Sequence, residues 1–333
     1  MRKIINFEKK PYIISSAAVG GREEGDGPLG SFFDLTDSTD RFGKDTWEKA
    51  EGEMGRLSLG VALKKAKMKA EELDALFAGD LENQCVASSS GLYSFGIPYI
   101  GLYSACSTCT EALLLLSSMI SAGYIDNGAT VTTSHNSAAE RQFRTPIEYG
   151  AQRTPTSQWT ATAAGSFILS SKTKADVYIN NGMIGKIIDG LTTDGSNMGA
   201  AMSRAAADSV YTYLSLTDSN PENFDAIFTG DLGKVGSEIF CELISKDFPS
   251  AAEIHKDCGT LLYDMKKKNL NSGASGCGCS ASVLSTYVLP RLEKGDFKNI
   301  LFLSTGALMS PSSILQGENI LGIAPIINIK REN

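Results

Sequence analysis

The sequence predicts an α/β protein built from two copies of one βαβα unit, and three repeats in the same order carry that expectation. Asp74-Ala-Leu-Phe-Ala-Gly-Asp80-Leu81 returns as Asp225-Ala-Ile-Phe-Thr-Gly-Asp231-Leu232. Ser104-Ala-Cys106 and Ser275-Gly-Cys277 each precede an apolar, helix-like run. Gly123-Tyr-Ile-Asp-Asn127 and Gly295-Asp-Phe-Lys-Asn299 each precede a β-like run. The offsets of about 150 to 170 residues are far too long for a solenoid and mark the duplication of a whole domain.

Within the first copy, residues 48–70 have helical periodicity and residues 75–78 form a short apolar strand ending in Gly-Asp. Residues 106–121 read as a helix and 129–133 as a strand. That alternation predicts a mostly parallel sheet covered by helices on both faces. The halves are residues 1–172 and 173–333, joined near 171–174. A chain of 333 residues with 42% hydrophobic and 21% charged residues buries a large core without disulfides or a structural metal.

The formal net charge is −7, and no basic stripe of the kind that binds nucleic acid is present. Lys64, Lys65, Lys67 and Lys69 are interleaved with apolar residues and followed by Glu71 and Glu72, which reads as a solvated helix face. The first residues run straight into charges, with no apolar core of a signal peptide. The most apolar stretch, 112–120, is broken by serines and too short to span a bilayer. The expectation is a chain made in the cytosol, with peripheral membrane attachment left open. Seven cysteines, an odd number, read as reduced thiols. Cys106/Cys109 and Cys277/Cys279 have spacings that a zinc site can use, but both pairs fall where helices start, so no cofactor is expected.

Cys106 follows a strand-like segment and small residues, at the head of a helix. There the unpaired N–H groups of the first turn and the helix dipole favour a thiolate or an anionic ligand. The duplication and this elbow resemble the thiolases and ketoacyl synthases over nearly the whole chain. That resemblance implies a layered αβαβα architecture and a pocket position for Cys106. Decarboxylating condensing enzymes of that kind pair the cysteine with a histidine and a histidine or asparagine. Here the first place reads Thr229-Gly230-Asp231, and the second reads Ser272-Gly-Ala-Ser-Gly-Cys277-Gly-Cys279. Neither holds an imidazole, and a neighbouring Asp231 raises a thiol's pKa rather than lowering it. Cys277 or Cys279 could stand in, as a second cysteine does in biosynthetic thiolases. The two histidines, His135 and His255, could reach the site only through the fold.

Several segments together resemble the stage V sporulation protein AD family. They include Pro11-Tyr-Ile-Ile-Ser15, Asp26-Gly-Pro-Leu-Gly30, Trp47-Glu48, Ala78-Gly79-Asp80-Leu81 and Ala105-Cys106-Ser107-Thr108. The most specific run is Ser134-His135-Asn136 with Ala139-Glu140-Arg141-Gln142-Phe143-Arg144, then Glu148-Tyr149-Gly150. Thr305-Gly306-Ala307-Leu308 extends the match toward the C-terminus. The resemblance implies a thiolase-like protein that binds dipicolinic acid within the SpoVA assembly, at the inner membrane of the forespore and spore. Its partners would be the membrane subunits of that assembly, and the superfamily's habit implies a homodimer.

For such a flat aromatic dianion, Arg141 and Arg144 are candidate carboxylate contacts and Tyr149 a ring-stacking surface. His135 and Asn136 end a strand beside the elbow. Cys106, Asp231, Ser275 and Cys277 complete the candidate set. Asp80 and Asp231 are the candidates to approach a chelated calcium ion, with helix capping as their plainer role. The leading expectation is a binding protein without catalysis. An acyl-transfer enzyme using Cys106, or a structural subunit with a vestigial pocket, are the alternatives.

Overall fold

The computed structural model describes residues 2–143, 153–267 and 270–332. Ten strands form the continuous path of its main sheet, and they fall into two runs of five. The first run comprises β1 (Tyr12–Gly20), β2 (Ala75–Gly79), β3 (Tyr99–Gly101), β4 (Asn127–Ser134) and β5 (Ala163–Ser170). The second comprises β6 (Val177–Met183), β7 (Ala226–Thr229), β8 (His255–Asp257), β9 (Asn299–Leu303) and β10 (Ile326–Arg331). Their spatial orders are β3-β2-β4-β5-β1 and β8-β7-β9-β10-β6, so the third, second, fourth, fifth and first strands line up identically in each half. One registered pair, Tyr12 with Tyr178, joins the two runs.

Strand direction corrects the expectation of a mostly parallel sheet. In each run the third, second and fourth strands are parallel, whereas the fifth lies antiparallel to both the fourth and the first. Two parallel and two antiparallel pairings per half make it mixed. Apolar runs such as Ala163–Ser170 report burial on both faces, and burial carries no information on direction.

The core follows the alternation of strand side chains. Phe77, Phe167 and Leu169 face a central cluster with Phe228, Ile300 and Phe302. Leu76, Val131 and Ile168 face an outer cluster on the first half, and Ile227, Leu301 and Leu303 an outer cluster on the second. The central layer holds α2 (Thr108–Ser121) and the helix that begins as α6 (Cys277–Val283). The outer layers are α1 (Trp47–Ala66) on one side and α4 (Met198–Thr217) with α5 (Gly233–Ile244) on the other. Helix–sheet–helix–sheet–helix layering results, as expected. Helix α1 stops at Ala66, short of the residue 70 read from periodicity, because Lys67 turns left-handed with φ 55°.

The repeated motifs survive because they clamp the same joints. Asp74 Oδ2 accepts the N–H groups of Asp126 and Asn127, at 2.8 and 3.0 Å. Asp225 Oδ2 accepts those of Lys298 and Asn299, at 2.6 and 2.9 Å. Asn127 and Asn299 each return a side-chain N–H to the carbonyl two residues before the clamping aspartate, Glu72 and Asn223. Each clamp ties the start of a second strand to the start of a fourth.

Candidate functional site

Cys106 lies on the elbow that the sequence predicts. Strand β3 ends at Gly101, a single 3₁₀ turn spans Ala105–Ser107, and α2 starts at Thr108. Ala105 takes a left-handed φ of 50°, a conformation that costs a non-glycine residue about 1 kcal/mol or more. The cysteine is only 5% exposed and packs with Leu81, Ala139, Cys277 and Phe143. Ala139 and Phe143 belong to α3 (Asn136–Phe143), so the helix carrying the most specific sequence run covers the thiol.

The thiol's partner is Asp231, just beyond β7. This carboxylate is fully buried and also accepts from Gly276 N at 2.9 Å and Thr305 Oγ1 at 2.7 Å. Burial pushes the Asp231 carboxyl up to about 7 despite those donors. Burial, then the charge of Asp231, holds the Cys106 thiol well above its ordinary range. A buried thiol facing a carboxyl stays neutral and is a poor nucleophile.

The second elbow sits against the first. Cys277 opens α6, is fully buried, and donates from Sγ to Thr133 O at 2.9 Å. Gly278 N donates to Ser134 Oγ at 3.2 Å, and Ser134 Oγ donates to Ala161 O at 2.7 Å. A Cβ at Gly278 would stand 2.1 Å from Ala163 O, so only glycine lets α6 approach β5 this closely. Beside these groups, α1 presents a buried Glu51 that accepts from Thr133 Oγ1 at 3.0 Å and lies near the carboxyls of Glu82 and Asp80. Burial and neighbouring carboxylates hold Glu51 well above the usual range, and burial pushes Glu82 up to about 7.

The other predicted residues take varied places. Both nitrogens of His135 are committed: Nδ1 accepts from Ser137 N at 3.1 Å, and Nε2 lies 2.9 Å from Asp40 O. Its ring rests on Trp47, and burial lowers its pKa, so it is neutral with Nε2 protonated. His255 pairs with Thr229, so among the described residues both imidazoles are engaged away from Cys106. Asn136 starts α3, and its buried Nδ2 has no acceptor among the described residues. Arg141 forms an ion pair with Glu48 at 2.8 Å on an exposed face. Ser275 is buried in a short strand that pairs with Thr160. Arg144 and Tyr149 lie outside the described residues.

Asp80, the other candidate for a chelated calcium ion, is buried beyond the end of β2. It accepts from Glu82 N, Ser88 N and Ser88 Oγ at 2.6–2.8 Å, which is a loop-gathering role. The described residues contain no group of three or more His, Cys, Asp or Glu suited to a metal. Sequence reasoning missed Thr305, Gly276, Glu51 and Glu82. Glu51 carried a signal, since it interrupts the otherwise small and apolar face of Ala50, Met54, Gly55, Ser58 and Leu59.

Duplicated halves with identical strand order, and a cysteine elbow in the central layer, define a thiolase-like protein. The structure matches 3-oxoacyl-[acyl-carrier-protein] synthase III from Aquifex aeolicus VF5 with a TM-score of 0.57 at 13% identity, over 95% of this chain and 99% of that one. It matches acetamide-bound OleA of Xanthomonas campestris with a TM-score of 0.62 at 14% identity, over 97% and 100%. At such identities the likeness establishes the fold alone. The chain belongs to the stage V sporulation protein AD family, whose model matches residues 1–330. It is 36% identical over 318 residues to stage V sporulation protein AD of Bacillus subtilis (strain 168), covering 96% of this chain and 94% of that protein. Among the described residues, no helix is long and apolar enough to cross a membrane.

Proposed function

We propose that the chain binds dipicolinic acid, free or as its calcium chelate, at the Cys106 elbow and does not catalyse acyl transfer. In this reading it serves the SpoVA assembly in dipicolinate uptake during sporulation and release in germination. It would act peripherally at the inner spore membrane, against that assembly's membrane subunits. One observation carries the reading. The Cys106 thiol faces the buried carboxyl of Asp231, where a condensing enzyme needs an imidazole to take the proton.

Two features support a carboxylate ligand. The buried Asn136 Nδ2 is a donor without an acceptor among the described residues, and a buried donor favours a ligand that supplies one. Asp231 and Glu82, with pKa values near 7, present protonated carboxyls below neutrality, which can donate to an anion. Above neutrality the same groups repel it, unless calcium neutralises the ligand. Affinity for the free acid therefore falls as pH rises through about 7, and calcium offsets the loss. Arg141 would join the ligand only by leaving Glu48.

A homodimer belongs to this reading. All three residues of edge strand β3 are exposed, with Val86, Tyr93 and Tyr103 exposed nearby in sequence. A bare apolar sheet edge favours pairing with a second copy. Sedimentation of Ile100→Lys tests this, and a dimer of unchanged stability would remove β3 from the interface.

Calorimetric titration with dipicolinic acid, with and without calcium, tests the main proposal. Saturable heat that weakens in Cys106→Ala is the expected result. No heat under either condition, from a folded chain, would overturn it. Acyl transfer is the second reading, because the structural neighbours include a 3-oxoacyl synthase. A radiolabelled acyl group trapped on Cys106 from a coenzyme A thioester would establish it.

A further inference from the structure

We infer that Cys241, remote in sequence from the Cys106 elbow, is a reactive thiol with its own base and takes small disulfides by thiol–disulfide exchange. Of the seven cysteines, Cys241 alone is partly exposed; the other six are buried. It projects from α5 against the edge strand β8, with Sγ 3.5 Å from His255 Nδ1.

The direction of that contact follows from the groups behind the imidazole. Asp257 is a fully buried carboxylate that accepts from Leu232 N, Gly233 N, Thr260 N and Thr229 Oγ1. The Thr229 hydroxyl has one proton, and it goes to Asp257 Oδ2 at 2.7 Å. Thr229 Oγ1 must then accept from His255 Nε2, 2.8 Å away. A neutral imidazole with its proton on Nε2 has a bare Nδ1, and that lone pair meets the Cys241 thiol. Phe240 packs against the imidazole, with ring centroids 4.5 Å apart. Nucleophile, base and orienting group thus stand in hydrogen-bond sequence, Cys241 to His255 to Thr229 to Asp257. Burial lowers the imidazole to about 4 and raises the Cys241 thiol, so the pair rests neutral and His255 Nδ1 takes the proton only as the sulfur attacks.

The step balances without an outside oxidant other than the disulfide. Cys241 gives its proton to His255 Nδ1 as its sulfur attacks one sulfur of the disulfide. That S–S bond breaks, a mixed disulfide forms on Cys241, and the departing thiolate takes a proton. The other cysteines lack this arrangement. Cys106 faces a carboxylate, and Cys277 and Cys279 donate to carbonyls.

The test is to treat the native, full-length chain with cystamine and map the modified cysteines by mass spectrometry over time. Cys241 should gain the adduct first, and the other six should react only on unfolding. His255→Gln should slow the adduct at Cys241 by about tenfold or more. Thr229→Val, which removes the orienting hydroxyl, should slow it less. Faster reaction at any other cysteine would overturn the proposal. So would an unchanged Cys241 rate in His255→Gln with native circular dichroism. The wild-type map stands even if a variant fails to fold.

Discussion

The two halves share a frame and differ at its strand ends. The third strand of the first half, β3, is exposed along its length and carries Tyr99 and Ile100 outward. Its counterpart β8 is partly buried, and its His255 and Asp257 both bond to Thr229 on the neighbouring β7. The aspartates that close the repeated motif differ likewise. Asp80 gathers the loop that follows it, whereas Asp231, at the same repeat position, reaches across to the Cys106 thiol and to Gly276. The Asp74 and Asp225 clamps, by contrast, make the same set of bonds. Residues that hold strands in register stayed alike, and those at the carboxyl ends of strands diverged. Ligands bind at such ends in α/β folds, so the divergence falls where function is set.

Substitutions in both halves sharpen this comparison. Asp257→Ala strips four donors of one buried acceptor and should cost about 4 kcal/mol. Asp80→Ala strips three, two of them from Ser88, and should cost about 2 to 3 kcal/mol. Urea midpoints measure both, and a larger loss at Asp80 would break the ranking. The exposed clamps Asp74→Ala and Asp225→Ala should each cost about 1 kcal/mol, and equally. Unequal losses would mean that the halves do not share their frame.

The two elbows supply a finer comparison. Ala105 and Gly276 precede the two elbow cysteines, with φ of 50° and 100°. Gly276→Ala places a Cβ 2.7 Å from Ser134 Oγ in a conformation that excludes side chains, and should destabilise by about 2 kcal/mol. Ala105→Gly relieves strain and should shift stability by under about 1 kcal/mol. Thermal midpoints of the two variants separate these outcomes.

Acidity should favour this fold over the range in which its buried carboxyls titrate. Glu24, Glu82 and Asp231 are raised by burial to about 7, and Asp257 to about 6. An acid whose folded pKa is raised stabilises the fold below its unfolded value. That contribution is lost as pH rises through the folded value. These groups therefore weaken the fold between about pH 4 and pH 7. Asp231→Asn should flatten that slope in urea midpoints taken across the range, and an unaltered slope would remove Asp231 from the account.

The duplication was legible because its repeats are structural clamps, and Asp74 and Asn127 can be replaced only by residues offering the same acceptor and donor. The Cys106 elbow was legible because a tight strand-to-helix turn demands small residues. Strand direction was not, since fully buried strands show the same apolar run whichever way they point. His135 looked like a ligand contact because it ends β4 beside the elbow, yet its bonds to Ser137 and Asp40 consume both nitrogens. Asp257 caps the helix Cys258–Leu262 and ties it to Thr229, Leu232 and Gly233. Such side-chain commitments depend on partners far away in sequence, as do those of Thr305 and Glu51.

The central claim is that Asp231 holds Cys106 as a neutral thiol. Alkylation of Cys106 by iodoacetamide, followed by mass spectrometry across pH, tests it most directly. The predicted result is a rate that stays low to well above pH 9, because the thiol is raised above its ordinary range, and that rises in Asp231→Asn. A rate that reaches its plateau near or below neutrality would show an activated thiolate and contradict the account.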